Sequence, residues 1–154
     1  NLFIFLLNVP DVYYAPLSGK EIYKIKMKTL LECPNKKKAN KQSKLAIKLP
    51  SQTAQIASAG NSIFYGDTRA MSILGTNVKK SGNNTVMLAQ DSEKLQAVAS
   101  MKVSNYWNRL MAISDRFQLF AVSKVNINEI NFRYFEMNLN EIQKLMNSIY
   151  SSTT

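Results

Sequence analysis

Apolar and polar residues change rhythm several times along this chain. The run Leu2-Phe3-Ile4-Phe5-Leu6-Leu7 is continuously apolar and stops before Pro10, far short of the ~18 residues of a membrane span. It reads as a buried strand, with the remnant of a signal-peptide core as the alternative. Asn8 to Lys20 contains Pro10, Pro16 and Gly19 and reads as a loop carrying Tyr13 and Tyr14. Residues 21–31 then alternate, with Tyr23, Ile25, Met27 and Thr29 on one face and Lys24, Lys26 and Lys28 on the other. This is the period of a half-buried strand. Leu45-Ala46-Ile47-Lys48-Leu49 alternates again, so the two segments predict a hairpin joined by a long lysine-rich loop. Residues 51–61 are small and polar and read as a loop. Residues 62–65, 69–78 and 85–90 predict further strands, the last two joined by the turn at 79–84.

From Asp91 the rhythm becomes helical. Ala99, Val103, Tyr106, Leu110, Ile113, Phe117 and Phe120 step by 4, 3, 4, 3, 4 and 3, the spacing of one helix face. Asp91 is a suitable N-cap and Glu93 complements the dipole of a first turn. A helix of about thirty residues is predicted, roughly 45 Å long at 1.5 Å per residue. Residues 124–136 alternate in two registers and predict a strand with a bulge near Asn128-Glu129. Asn138, with Glu141 three residues on, then predicts the start of a last short helix.

All four prolines and all five glycines lie between residues 10 and 82. These residues punctuate regular structure, so residues 1–82 read as strands and loops and 83–154 as long elements. The boundary falls near Gly82 inside a single domain, 1–154, because neither half has a generous core of its own. The resulting expectation is an α+β fold. An antiparallel sheet in the strand- and loop-rich N-terminal half packs on a long amphipathic helix, followed by a strand and a short C-terminal helix.

Charge sharpens this picture. The net formal charge is +10, yet from Lys20 to Lys48 ten lysines stand against two acids, Glu21 and Glu32. Eight of the ten net charges therefore lie in 29 residues, and no acid follows Glu32 until Asp67. Such a field attracts polyanions or acidic protein surfaces. The candidate contacts are Lys24, Lys26, Lys28, Lys36, Lys37, Lys38, Lys41, Lys44 and Lys48. Solvation of an edge strand, where lysine blocks aggregation, is the plainer reading of the strand lysines. Tyr13 and Tyr14, in a proline-flanked loop, are candidates to stack on bases. Val103, Tyr106, Trp107, Leu110, Ile113, Phe117 and Phe120 are candidates for a helix-pairing surface between subunits.

The chain has no histidine and one cysteine, Cys33. Histidine-based triads, imidazole bases, histidine zinc sites and an internal disulfide are thereby excluded. The ten carboxylates show no metal-like spacing, and Gly60 to Gly66 lacks the following Lys-Ser/Thr of a phosphate loop. Asn83-Asn84-Thr85 matches a glycosylation sequon. No cofactor or metal is expected. The sequence points to a non-enzymatic subunit of a larger assembly that holds RNA or single-stranded DNA through residues 20–48. The alternative is a structural or assembly protein, of linker or coat type, that binds acidic neighbours and pairs through the long helix. An enzyme built on Tyr, Lys and carboxylates is a third, weaker reading.

Overall fold

The computed structural model describes residues 3–5, 10–17, 19–32, 35–53, 55–80 and 84–151. Strands β1 (Phe3–Phe5), β2 (Asp11–Tyr14), β3 (Glu21–Lys26) and β4 (Lys44–Lys48) form an antiparallel sheet in that order. Helices α1 (Met27–Leu31) and α2 (Lys36–Gln42) lie in the connection from β3 to β4. A second antiparallel sheet runs through β5 (Ile56–Ala59), β6 (Ser62–Asp67), β7 (Ser72–Asn77) and β8 (Thr85–Gln90). The third joins β9 (Ala97–Ser104), β10 (Arg109–Asp115) and β11 (Phe132–Asn138). Helix α3 (Phe117–Phe120) lies between β10 and β11, and α4 (Leu139–Ser151) follows β11.

Each sheet is a meander of neighbouring strands, and the first strands of the three lie side by side, β1 next to β5 and β5 next to β9. Sheets packed face to face with their first strands lining a common side are the arrangement of propeller blades. Two clusters hold them together. Tyr13, Ile22 and Ile47 of the first sheet pack on Ile56, Ile63, Tyr65 and Leu74 of the second. The opposite face of the second sheet, with Ala57, Phe64 and Ile73, packs on Val98, Met101, Leu110 and Ala112 of the third, and Ile142 and Met146 of α4 complete that cluster. The second sheet is therefore covered on both sides, and β6 is buried throughout. Gly66 sets the closest approach: a Cβ there would stand 2.9 Å from the Val98 Cβ. At Gly75 a Cβ would crowd the Met146 sulfur at 3.2 Å, which leaves that methionine its seat.

These sheets overturn the α+β expectation. The stretch predicted as one long helix is a hairpin: β9, a turn at 105–108, β10, and the four-residue α3. Its buried residues follow the strand period, with Leu110, Ala112 and Ser114 inward, and a bulge at Ile113/Ser114 shifts the register. The turn needs neither glycine nor proline because Asn108 takes φ 53, a region that asparagine tolerates. Asp91 does accept backbone bonds from Glu93 and Lys94, at 3.0 and 2.9 Å, but it caps a single turn. Those two bonds, foremost that from Lys94, hold its carboxyl below the usual range.

Other expectations change too. Residues 27–31 are helix where alternation predicted strand, residues 56–59 are strand where small polar composition predicted loop, and Tyr13-Tyr14 belong to β2. The strand predicted over 124–136 begins only at Phe132. Asn138 accepts bonds from Asn140 and Glu141 at the start of α4. Gly82 and Cys33 lie outside the described residues.

Candidate functional site

The lysine segment occupies one outer end of the sheet stack. Its strands are placed by Ile22 and Ile47, which face each other in register and are buried against the second sheet. The helices between them are tied down by two hydroxyls. Tyr14 of β2 donates to the Ser43 hydroxyl at 2.8 Å, and buried Thr29 of α1 donates to Gln42 at 2.7 Å. Val12 and Ile25, neighbours in register on the same side of the sheet as Tyr14, are buried as well. Helix α1 continues from β3 and contacts it, and α2 contacts α1.

The candidate lysines fall into two sets. Lys24 is half-buried, 3.8 Å from the Asp11 carboxylate, and lies opposite Lys44 in register. That like-charge pairing is unfavourable in a sheet. Lys48 lies opposite Glu21. Lys26 and Lys28 are exposed where β3 passes into α1. Lys36, Lys37, Lys38 and Lys41 all stand exposed on α2, and Lys38 approaches Glu32 at 3.6 Å. Helix α2 buries none of its residues and has no acid in its first turn; Asn35 caps it by accepting from the Lys38 N–H.

The aromatic candidates do not join this surface. Tyr13 is 2 % exposed and packs in the core, where burial, and secondarily the Asp11 charge, pushes its phenol up. Tyr14 is half-buried and stacked on Tyr23 with centroids 5.7 Å apart. Neither offers a platform for bases. The proposed helix-pairing residues are dispersed as well. Val103 is half-buried on β9, Leu110 is fully buried on β10, Tyr106 and Trp107 sit exposed in the turn between these strands, Ile113 faces outward on β10, and Phe117 and Phe120 lie on α3.

A cavity of about 750 Å³ among the described residues was not legible from sequence. It opens where all three sheets meet, among Leu17, Lys20, Thr53, Arg69, Val98 and Phe117. They come from the β2–β3 connection, the segment after β4, the β6–β7 turn, β9 and α3, so no local pattern marks it. Among the described residues no cluster of His, Cys, Asp and Glu could hold a metal, and no helix is long and apolar enough to cross a membrane.

Comparison with known proteins gives a consistent picture. Major royal jelly protein 6 of Apis mellifera is 24 % identical over 149 residues, covering 87 % of this chain and 34 % of its own length. Major royal jelly protein 7 of the same species is 23 % identical over 140 residues, covering 80 % and 32 %. The chain thus spans about a third of the length of these relatives. The N-terminal domain of Nup159 superposes with a TM-score of 0.48 at 14 % identity, over 93 % of this chain and 32 % of that one, a likeness too loose to carry an argument. Neither the relatives nor the β-rich fold lends anything to a nucleic-acid reading or to the label α+β. The family model for major royal jelly proteins matches residues 6–147, and the chain belongs to that family.

Proposed function

We propose that this chain is a non-enzymatic binding module whose lysine-bearing helix pair holds an acidic polypeptide partner. One observation carries the reading. Helix α2 buries nothing, and three of its first residues are lysines. Positive charge at a helix N-terminus opposes the macrodipole, at a cost of about 0.3–1 kcal/mol per charge. Packing does not explain such a helix, and its charges work against it. A surface that presents Lys36, Lys37, Lys38 and Lys41 to an anion does explain it. Lysine offers point charges without fixed geometry, which suits carboxylates scattered along a flexible acidic segment. The burial of Tyr13 and the stacking of Tyr14 on Tyr23 support an acidic polypeptide over a nucleic acid as the partner.

Fluorescence anisotropy of labelled poly-glutamate and of a labelled single-stranded oligonucleotide, titrated with the chain over a salt series, tests this. Poly-glutamate binding that weakens steeply with salt and vanishes in the variant Lys36→Glu, Lys37→Glu, Lys41→Glu is expected. Absence of poly-glutamate binding at low salt contradicts the proposal, and oligonucleotide binding tighter by tenfold or more at equal salt returns the assignment to nucleic acid.

A further inference from the structure

The cavity where the three sheets meet differs from the surfaces at either end of the stack. Its lining is mostly apolar, with buried Val98 between Ala97 and Ala99 on β9, and with Leu17 and Phe117, 65 % and 62 % exposed. Two cations border it, Lys20 and Arg69, and one acid, Asp115. At about 750 Å³ it falls within the range of ~300–1,000 Å³ that small-ligand sites occupy. Most of its polar side chains are already engaged by the protein. Thr53 donates to the Gln55 carbonyl at 2.9 Å and accepts the Gly66 N–H at 3.2 Å. Gln118 donates to Gln96 at 2.6 Å, and the Asp115 carboxylate accepts the Phe117 N–H at 3.0 Å. Ser51 donates to buried Asp67, whose carboxylate also accepts the N–H groups of Arg69 and Ala70 at 3.0 and 3.2 Å. Gln90 donates to the Ala70 carbonyl at 2.9 Å, so the turn that carries Arg69 is pinned. Among the described residues neither the Lys20 ammonium nor the Arg69 guanidinium takes part in an ion pair.

We propose that this cavity binds a small amphipathic carboxylate, its charged head on Lys20 and Arg69 and its apolar body along Val98, Leu17 and Phe117. Charge comes first. Two cations against Asp115 leave one net positive charge at the cavity, the complement of a monoanion. A cationic ligand meets two like charges there, and a neutral one leaves both cations unpaired. Geometry agrees with this. A guanidinium fork grips a carboxylate through two parallel bonds, and a lysine adds a point charge that adapts to it. The Arg69 backbone is fixed before any ligand arrives, which lowers the ordering cost of binding. Composition agrees as well, since small-molecule sites are apolar hollows with a few polar groups that orient the ligand. The site is separate from the lysine-bearing helices, because none of Lys36, Lys37, Lys38 and Lys41 lines it.

Isothermal titration calorimetry of the chain with octanoate, octylamine, octanol and acetate tests the proposal, at two temperatures so that a binding enthalpy near zero at one is seen at the other. Octanoate is expected to bind at least tenfold more tightly than each of the other three. Arg69→Gln and Lys20→Gln are each expected to weaken octanoate fivefold or more and to leave the thermal midpoint unchanged, since both side chains are exposed. The variant Lys36→Glu, Lys37→Glu, Lys41→Glu is expected to bind octanoate as the parent chain does. Absence of octanoate binding at millimolar concentration overturns the proposal, and so does octylamine binding as tightly as octanoate. Acetate binding equal to octanoate takes the apolar lining out of the account and overturns it too. Octanoate binding that survives both cavity substitutions but is lost in the triple variant assigns the carboxylate to the helix pair and overturns this proposal while supporting the reading of that pair as an anion site.

Discussion

The first and third sheets both end the stack, and they end it differently. Outside the first, Val12 and Ile25 are buried and α1 and α2 present a row of lysines to solvent. Outside the third, Ile113, Phe132 and Tyr134 stand bare beside Phe117 and Phe120. One end is dominated by lysines; the other mixes exposed aromatics with Arg109, Asp115 and Glu136. The difference shows that exposure alone does not identify function. The exposed lysines stand on a helix that buries none of its residues, whereas the exposed aromatics stand on a sheet whose other face is core.

Substitutions at the two ends separate these roles. The largest effect is expected at the lysine end: the triple glutamate variant at Lys36, Lys37 and Lys41 lowers poly-glutamate affinity at low salt by 100-fold or more, read by anisotropy. Next comes the contrast between inner and outer faces of the third sheet. Leu110 is fully buried, so Leu110→Ala costs about 2–5 kcal/mol, whereas Phe132→Ser in the isolated chain changes stability by no more than about 0.5 kcal/mol, both read by denaturant melts. Lys36→Gln relieves α2 of one misplaced charge and raises stability by about 0.3–1 kcal/mol while weakening anion binding, so the two readouts move in opposite directions.

The smallest effect is a pH response at the third sheet's end. Glu129 is held below its usual range, first by the Arg116 guanidinium that donates to it and then by Asn126. A carboxylate with a lowered folded pKa contributes stability that is present above its unfolded pKa and lost as pH falls through the folded one. Hydrogen-exchange protection in the 121–131 loop, corrected for the intrinsic rate at each pH, is therefore expected to fall as pH drops below the ordinary carboxylate range, with protection in α2 unchanged.

What could be read from sequence follows the same division. The first sheet's later strands announced themselves: Tyr23 and Ile25 against Lys24 and Lys26 gave β3, Leu45-Ala46-Ile47-Lys48-Leu49 gave β4, and the charge of the segment was visible by counting. The third sheet was misread because its outward face mixes Ile113, Phe132 and Tyr134 with Arg109, Asp115 and Glu136, which blurs the strand alternation. With Tyr106, Phe117 and Phe120 present alongside Val103 and Leu110, the residues satisfied a helical spacing, and the turn at 105–108 was hidden because Asn108 takes the left-handed conformation without a glycine. Tyr13 was misplaced for a related reason: the flanking Pro10 and Pro16 suggested a loop where a four-residue strand fits between them. The cavity among Lys20, Arg69 and Phe117 is a product of three sheets meeting, which local patterns do not encode.

Hydrogen–deuterium exchange of the chain with and without poly-glutamate at low salt reads both ends at once. The account predicts added protection across residues 36–48 and none across 106–134. Protection at the aromatic end, or no change at the lysine end, would contradict it.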